Sequence, residues 1–221
     1  MTSIRFAIAT LCAFLFVTAA PARAEIIEVS YTGTVTLVDT PLAGAFSLGD
    51  AVVGQFEFER PAGAPVFDVF NRARYAESLQ SFSITVGSYS ASATGGNVIV
   101  NDDVQAGSLA PVRDGFSASG SQGLSGAPIA GLNLVAMQFS LLSSVLSTLN
   151  SFAIPSTAEL NALWMTNLAD GNTNWLAFAG AEARYSLDSF SVISSIPEPQ
   201  NYALLLAGLG LLGFAARRRQ R

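Results

Sequence analysis

The chain has 221 residues, half of them hydrophobic, with 16 acidic residues against 11 basic ones, no histidine and a single cysteine. Without histidine, the usual zinc, serine-histidine and cysteine-histidine constellations cannot be assembled. Every basic residue is an arginine, and only Arg60, Arg72, Arg74, Arg113 and Arg184 lie between residues 25 and 195, against fifteen of the acids. That span is therefore about ten charges negative and lacks the clustered positive charge that nucleic-acid binding requires.

The N-terminus carries Arg5, an apolar run over residues 6–20, and then Pro21, Ala22, Arg23 and Ala24. Ala22 and Ala24 occupy the small-residue positions that a signal peptidase reads, so cleavage is expected before Glu25 and residues 1–24 form a signal helix. An apolar run of about 15 residues is short for a permanent span, which needs about 20. Cys12 lies inside this run and not just after the cleavage point, so no lipid-modified cysteine is expected. Once the segment is removed no cysteine remains, and the domain must be held by core burial without a disulfide.

From residue 25 to 195 the dominant period is two, the signature of half-buried strands. Over residues 28–37, Val29, Tyr31, Val35 and Leu37 share one face while Glu28, Ser30, Thr32, Thr34 and Thr36 share the other, with Gly33 interrupting the inner row. Residues 54–59 set Phe56 and Phe58 against Gln55, Glu57 and Glu59, and residues 81–86 place Phe82, Ile84 and Val86 together. Gly87 and Ser88 read as a hairpin turn into a strand over 89–94, and Gly95 and Gly96 as a second turn into 97–101. Further strands are expected over 115–119, 132–141, 175–180 and 183–193. Residues 157–168 lack alternation and carry Ala158, Leu160, Leu163, Trp164 and Leu168 near a helical period, which predicts a short helix. Many short strands, polar turns and almost no helix predict an all-β domain, an antiparallel β-sandwich or barrel.

Chemistry in this body rests on carboxylates. Glu57 with Glu59, Asp102 with Asp103, and Asp68 with Glu77 are the candidate acid and base pairs of a glycan-cleaving enzyme. The first pair is expected on a solvent face and the second in a turn. Asp170, Asn172 and Asn174 alternate in a loop that can present oxygens to calcium, but the following glycine and distal glutamate of a helical calcium loop are missing, and an Asx-rich turn explains the residues. No metal and no cofactor are expected. Tyr89, Trp164 and Trp175 are the aromatics to consider for sugar contact, against the alternative that they belong to the core.

Residues 196–221 divide into three parts. Pro197 and Pro199 fix φ and lack N–H donors, so Pro197, Glu198 and Pro199 form an extended segment that cannot join a helix. Residues 202–216 are uncharged and apolar, about 22 Å long as a helix against a hydrocarbon core near 30 Å, a short membrane span. Tyr202 can sit at one interface, while Arg217, Arg218, Arg219 and Arg221 hold the other end in the cytoplasm.

This order of motif, aromatic, Gly- and Leu-rich run and arginines at the extreme C-terminus resembles the PEP-CTERM protein-sorting domain. The resemblance implies recognition by exosortase, a membrane-embedded cysteine protease or transpeptidase acting near Pro197, Glu198 and Pro199, with removal of the tail. Those three residues are then substrate residues and not catalytic ones. Isoleucine stands before Pro197 where the family more often has valine, and Tyr202 where it often has tryptophan. Such proteins occur in Gram-negative bacteria that make extracellular polysaccharide, and tails of this kind also occur on proteins called ice-binding. The row Thr32, Thr34 and Thr36 is a single strand and not the flat array that ice recognition needs. The body is also similar to a group of proteins with such tails that share a YTGTVT-like first strand, here residues 31–36, and a G-x-F-x-F second strand, here 54–58.

Together these readings predict three regions: a signal peptide, a β-rich extracytoplasmic domain over 25–195, and a sorting and transmembrane tail over 196–221. The expected protein is exported, held briefly in the inner membrane, and then placed at the cell surface or in the extracellular matrix as a noncatalytic component associated with exopolysaccharide. A structural or adhesion-like surface subunit and a carboxylate-dependent glycan-active enzyme are the alternatives.

Overall fold

The computed structural model describes residues 25–60, 63–68, 70, 72–105, 111–167, 174–195 and 208. The two terminal helices expected from the sequence lie outside these residues except for residue 208, as do Ala22 and Ala24, the Pro197–Pro199 motif and the tail arginines. Among the described residues no helix is long and apolar enough to cross a membrane.

Of the two architectures the alternation allowed, the chain forms the barrel. Eleven strands belong to one antiparallel sheet: β1 (Glu25–Val38), β2 (Ala51–Arg60), β3 (Val66–Phe67), β4 (Ala73–Val86), β5 (Tyr89–Ala93), β6 (Gly95–Gln105), β7 (Val112–Gln122), β8 (Ser125–Gly126), β9 (Leu134–Ser143), β10 (Trp175–Phe178) and β11 (Ala181–Ser195). Successive wall strands are neighbours, β11 returns to pair with β1, and β2 pairs with β4, so eight of them (β1, β2, β4, β6, β7, β9, β10 and β11) close an up-and-down barrel. Eight strands leave an interior just wide enough to be filled by side chains. Here aromatic rings fill it: Tyr31, Phe56, Phe58, Phe82, Phe116, Phe139 and Tyr185 are all at most 2% exposed. Phe139 packs against Tyr31 at 4.9 Å and against Phe56 at 5.0 Å between ring centroids.

The burial of β1 follows the predicted period, with Ile27, Val29, Tyr31 and Val35 inside and Glu28, Ser30, Thr32 and Thr36 outside. Two features depart from the reading. Gly95 and Gly96 do not make a hairpin. β5 and β6 both pair with β4 in the same direction, Ala93 opposite Phe82 and Gly96 opposite Leu79, so they form one long strand with a bend at Thr94. The glycine serves close approach there, because a Cβ on Gly96 would lie 1.9 Å from the Ser119 carbonyl oxygen. The other departure is β4, which starts at Ala73, well before the alternation begins. A bulge between Ala76 and Leu79, with Glu77 at φ 60°, buries Ser78 and Leu79 in succession and breaks the period.

β10 is only four residues long and joins the upper parts of β9 and β11. Below it, helix α1 (Thr157–Met165) packs against β7, β9 and β11, burying Leu160 and Leu163 and stacking Trp164 on Phe190 at 5.7 Å. Ser156 caps the helix: its hydroxyl accepts from the Glu159 N–H and the Glu159 carboxylate accepts from the Ser156 N–H, closing a capping box.

Candidate functional site

Two places in the barrel gather polar side chains, one at an end and one on the wall. At the end of β6 a bulge sets Asp102 and Asp103 opposite Asp114 of β7, so they lie in a strand and not in the expected turn. One carboxylate oxygen from each of the three lies within 4.8 Å of the others. Burial pushes the Asp102 carboxyl above its usual value, and the charges of Asp114 and Asp103 add to the rise. Asp114 is fully buried, and backbone N–H groups use both its oxygens: Asp103 donates to Oδ1 at 2.9 Å and Leu149 to Oδ2 at 2.8 Å. Its geometry is that of a buried carboxylate pinning a bulge and a loop. The sequence reading missed Asp114 because nothing in the order of residues shows which strand a bulge will face.

The remaining carboxylate candidates are dispersed. Glu57 is exposed on the outer wall and Glu59 half-buried. Asp68 accepts from Arg72 Nε at 2.7 Å and from the Phe70 N–H at 2.9 Å. Partial burial raises its carboxyl, but the Arg72 side chain and N–H, the Phe70 N–H and the guanidinium charge outweigh this and hold it below the usual value. Glu77 is exposed and set in the bulge of β4. Of the loop read for calcium, residues 170–173 lie outside the described residues; Asn174 is 2% exposed, and its Oδ1 accepts from the Ser140 N–H at 2.7 Å. The aromatics considered for sugar contact are committed elsewhere. Tyr89 packs on Phe46 and Phe178 inside the barrel, Trp164 belongs to the α1 contact, and Trp175 is half-buried in β10.

On the wall, the register of four strands aligns outward polar side chains into rungs. Ser191, Ser30, Gln55 and Ser83 stand in line across β11, β1, β2 and β4. The next rung is Ser189, Thr32 and Thr85 with the apolar Val53 between the threonines, and Ser92 and Ser90 of β5 extend the two. Thr32 and Ser189 hydroxyls are 2.7 Å apart, and those of Thr85 and Ser90 3.2 Å. The rungs of β11, β1, β2 and β4 line a shallow groove of about 560 Å³ with no ionisable side chain facing outward. Hydroxyls and an amide both donate and accept, so this surface suits a neutral, hydroxyl-bearing ligand. Sequence alone displayed only the β1 row; its partners lie about 20 to 160 residues away and are set by register.

The fold thus defines a closed antiparallel β-barrel with a ring-packed interior and a hydroxyl-lined outer groove. The family model of the PEP-CTERM protein-sorting motif matches residues 195–219, beginning at the last residue of β11. The chain carries this sorting tail and is an exosortase-targeted surface protein, exported and sorted to the cell surface. No curated protein and no solved structure matches the chain.

Proposed function

We propose that the barrel is a noncatalytic surface or matrix component that contacts neutral extracellular polysaccharide through its outer groove. The observation that carries this reading is the pair of aligned rungs, which offer a sugar chain donors and acceptors at the regular spacing of neighbouring strands, about 4.8 Å, without any charge to repel or fix it. Supporting it is the interior, which is occupied by rings and leaves the wall as the place where a chain-like ligand can lie. Delivery follows the two ends of the sequence: signal peptidase cuts after Ala24, residues 202–216 hold the product transiently in the inner membrane with Arg217, Arg218, Arg219 and Arg221 on the cytoplasmic side, and exosortase cuts near Pro197, Glu198 and Pro199.

Affinity electrophoresis through gels containing dextran, galactomannan or a neutral bacterial exopolysaccharide tests the groove. Retardation by at least one polymer is expected, with Gln55→Ala weakening it about fivefold, the worth of one hydrogen bond near 1 kcal/mol. Equal mobility of the protein in all gels and in their absence would remove the polysaccharide reading. Concentration-dependent sedimentation in its place would favour the structural subunit.

A further inference from the structure

Glu25 opens β1, and Ile26 pairs with Ser195, so the chain enters and leaves the barrel side by side at one end. The strand directions bring to that same end the described residues of two connections, 63–68 before β4 and 144–167 after β9. These connections hold on to one another. The Phe67 ring packs edge-on against Phe152 at 5.2 Å, the Tyr75 hydroxyl donates to the Phe152 carbonyl at 2.9 Å, and Arg60 Nε donates to the Ile154 carbonyl at 2.9 Å.

Large apolar side chains stand out from this end into solvent. Val66 (67%), Phe67 (49%), Phe70 (42%), Val145 (47%), Leu146 (42%) and Met165 (81%) make up most of the exposed large hydrophobics of the described residues. Of the others, Leu48 and Val135 lie toward the opposite end, Val53 on the outer wall, and Val112 and Ile193 near this end. The arginines follow the same asymmetry. Arg60, Arg72, Arg74 and Arg113 all sit at strand ends on this side, and only Arg184 of the body arginines lies near the other end. Arg72 lies over the Phe70 ring at 5.2 Å. Acids stand here too, since Arg60 pairs with Glu25 at 3.0 Å, Arg72 pairs with Asp68 at 2.6 Å, and Asp102, Asp103 and Asp114 lie at this end, so its apolar tips are what set it apart.

A cluster of exposed apolar tips at one end is what seats a protein on a phospholipid surface, the tips entering the acyl boundary while their polar neighbours stay at the headgroups. The tail says which surface this end faces. Six residues separate Ser195 from residue 202, where the apolar run begins, and the seven steps between them reach at most about 25 Å. We propose that the tail-bearing end of the barrel is a membrane seat: Phe67, Phe70, Val145 and Leu146 dip into the bilayer interface while the tail is uncut, holding the barrel upright with the motif at the membrane surface. This rests on the reading that residues 202–216 insert into the membrane, and the experiment separates the two.

Full-length chain with Cys12→Ser is reconstituted into vesicles of phosphatidylethanolamine and phosphatidylglycerol, with one cysteine at a time (Phe67→Cys, Leu146→Cys, Leu48→Cys or Leu206→Cys) carrying an environment-sensitive fluorophore. Lipids with a shallow acyl-chain spin label serve as quencher. All three barrel positions are exposed, and near-ultraviolet circular dichroism checks that the ring-packed core is intact. Quenching of about twofold at 67 and 146, with the label at 48 unaffected, is the expected result. Quenching at 206 with 67 and 146 behaving like 48 would overturn the membrane seat and leave the anchor standing. Loss of quenching at 206 as well would overturn both. Protection of 67 and 146 that grows with protein density and not with lipid quencher would show a second copy on this end, and would also overturn the proposal.

Discussion

Gly54 lies directly beneath the Tyr31 ring: a Cβ there would fall 2.1 Å from Tyr31 Cζ, which makes the smallest residue a requirement of the ring-filled interior. Gly54→Ala must push the ring aside and should cost about 1–3 kcal/mol in a denaturant melt, as overpacking of a core does. The displaced hydroxyl matters too. Tyr185 has one proton and gives it to the Gln138 carbonyl at 2.8 Å, so the Tyr31 hydroxyl is the donor in its 3.0 Å bond to Tyr185. Burial drives both phenols well above their ordinary pKa, keeping this chain neutral and intact through alkaline conditions. Tyr31→Phe should therefore cost about 1 kcal/mol, and Tyr185→Phe more, because it leaves the Tyr31 hydroxyl stranded in the core. Charge at the barrel end acts in opposite directions at two residues. Asp102 has a raised carboxyl, so its ionised form is disfavoured by folding, and stability falls as pH rises through the ordinary and then the folded value. Asp102→Asn should raise the melting temperature at neutral pH, with the gain vanishing below the ordinary aspartate value near 3.9. Asp68 is lowered, so it stabilises above that value and the contribution is lost as pH falls through its folded one. A melt series in which Asp102→Asn tracks the parent at every pH would contradict this account.

Among the elements, α1 is the one whose position depends on others. Its sequence marks it as a helix, and Ser156 and Glu159 close its capping box, but its place beneath the short β10 follows from the strands around it. Ser156→Ala should cost about 1 kcal/mol, measured by chemical denaturation, and loosen the Trp164 stack on Phe190 enough to red-shift tryptophan emission. An unchanged midpoint and spectrum would mean that packing alone holds the helix. Strands were legible where one face is apolar throughout, as in β1 and β2, since alternation is the direct print of a half-buried strand. They were not legible at bulges, where the period slips by one, as in β4 near Glu77 and β6 near Asp103. The pair Gly95 and Gly96 misled for a related reason: glycine marks both a reversal and a close approach, and only the neighbouring β7 backbone shows which applies.

For the molecule as a whole, the described barrel begins at Glu25 and its last strand ends at Ser195, one residue before the segment that carries the sorting motif. A cut near the motif would thus fall close against a closed barrel, and Glu198→Ala should leave the tail uncut and the protein in the membrane fraction; equal release of parent and variant would sink that expectation. Intact-mass measurement of protein from cells and medium reads both expected cut sites at once. The sequence by itself determined the all-β class and the sorting tail, because both are written in local order: alternation along a strand, and motif, apolar run and arginines in succession. Barrel rather than sandwich, the Asp114 partnership, the hydroxyl rungs and the apolar, arginine-bearing end were decided only in three dimensions. Each depends on which strands become neighbours and in what register, and those long-range pairings join residues whose separation along the chain carries no local signal.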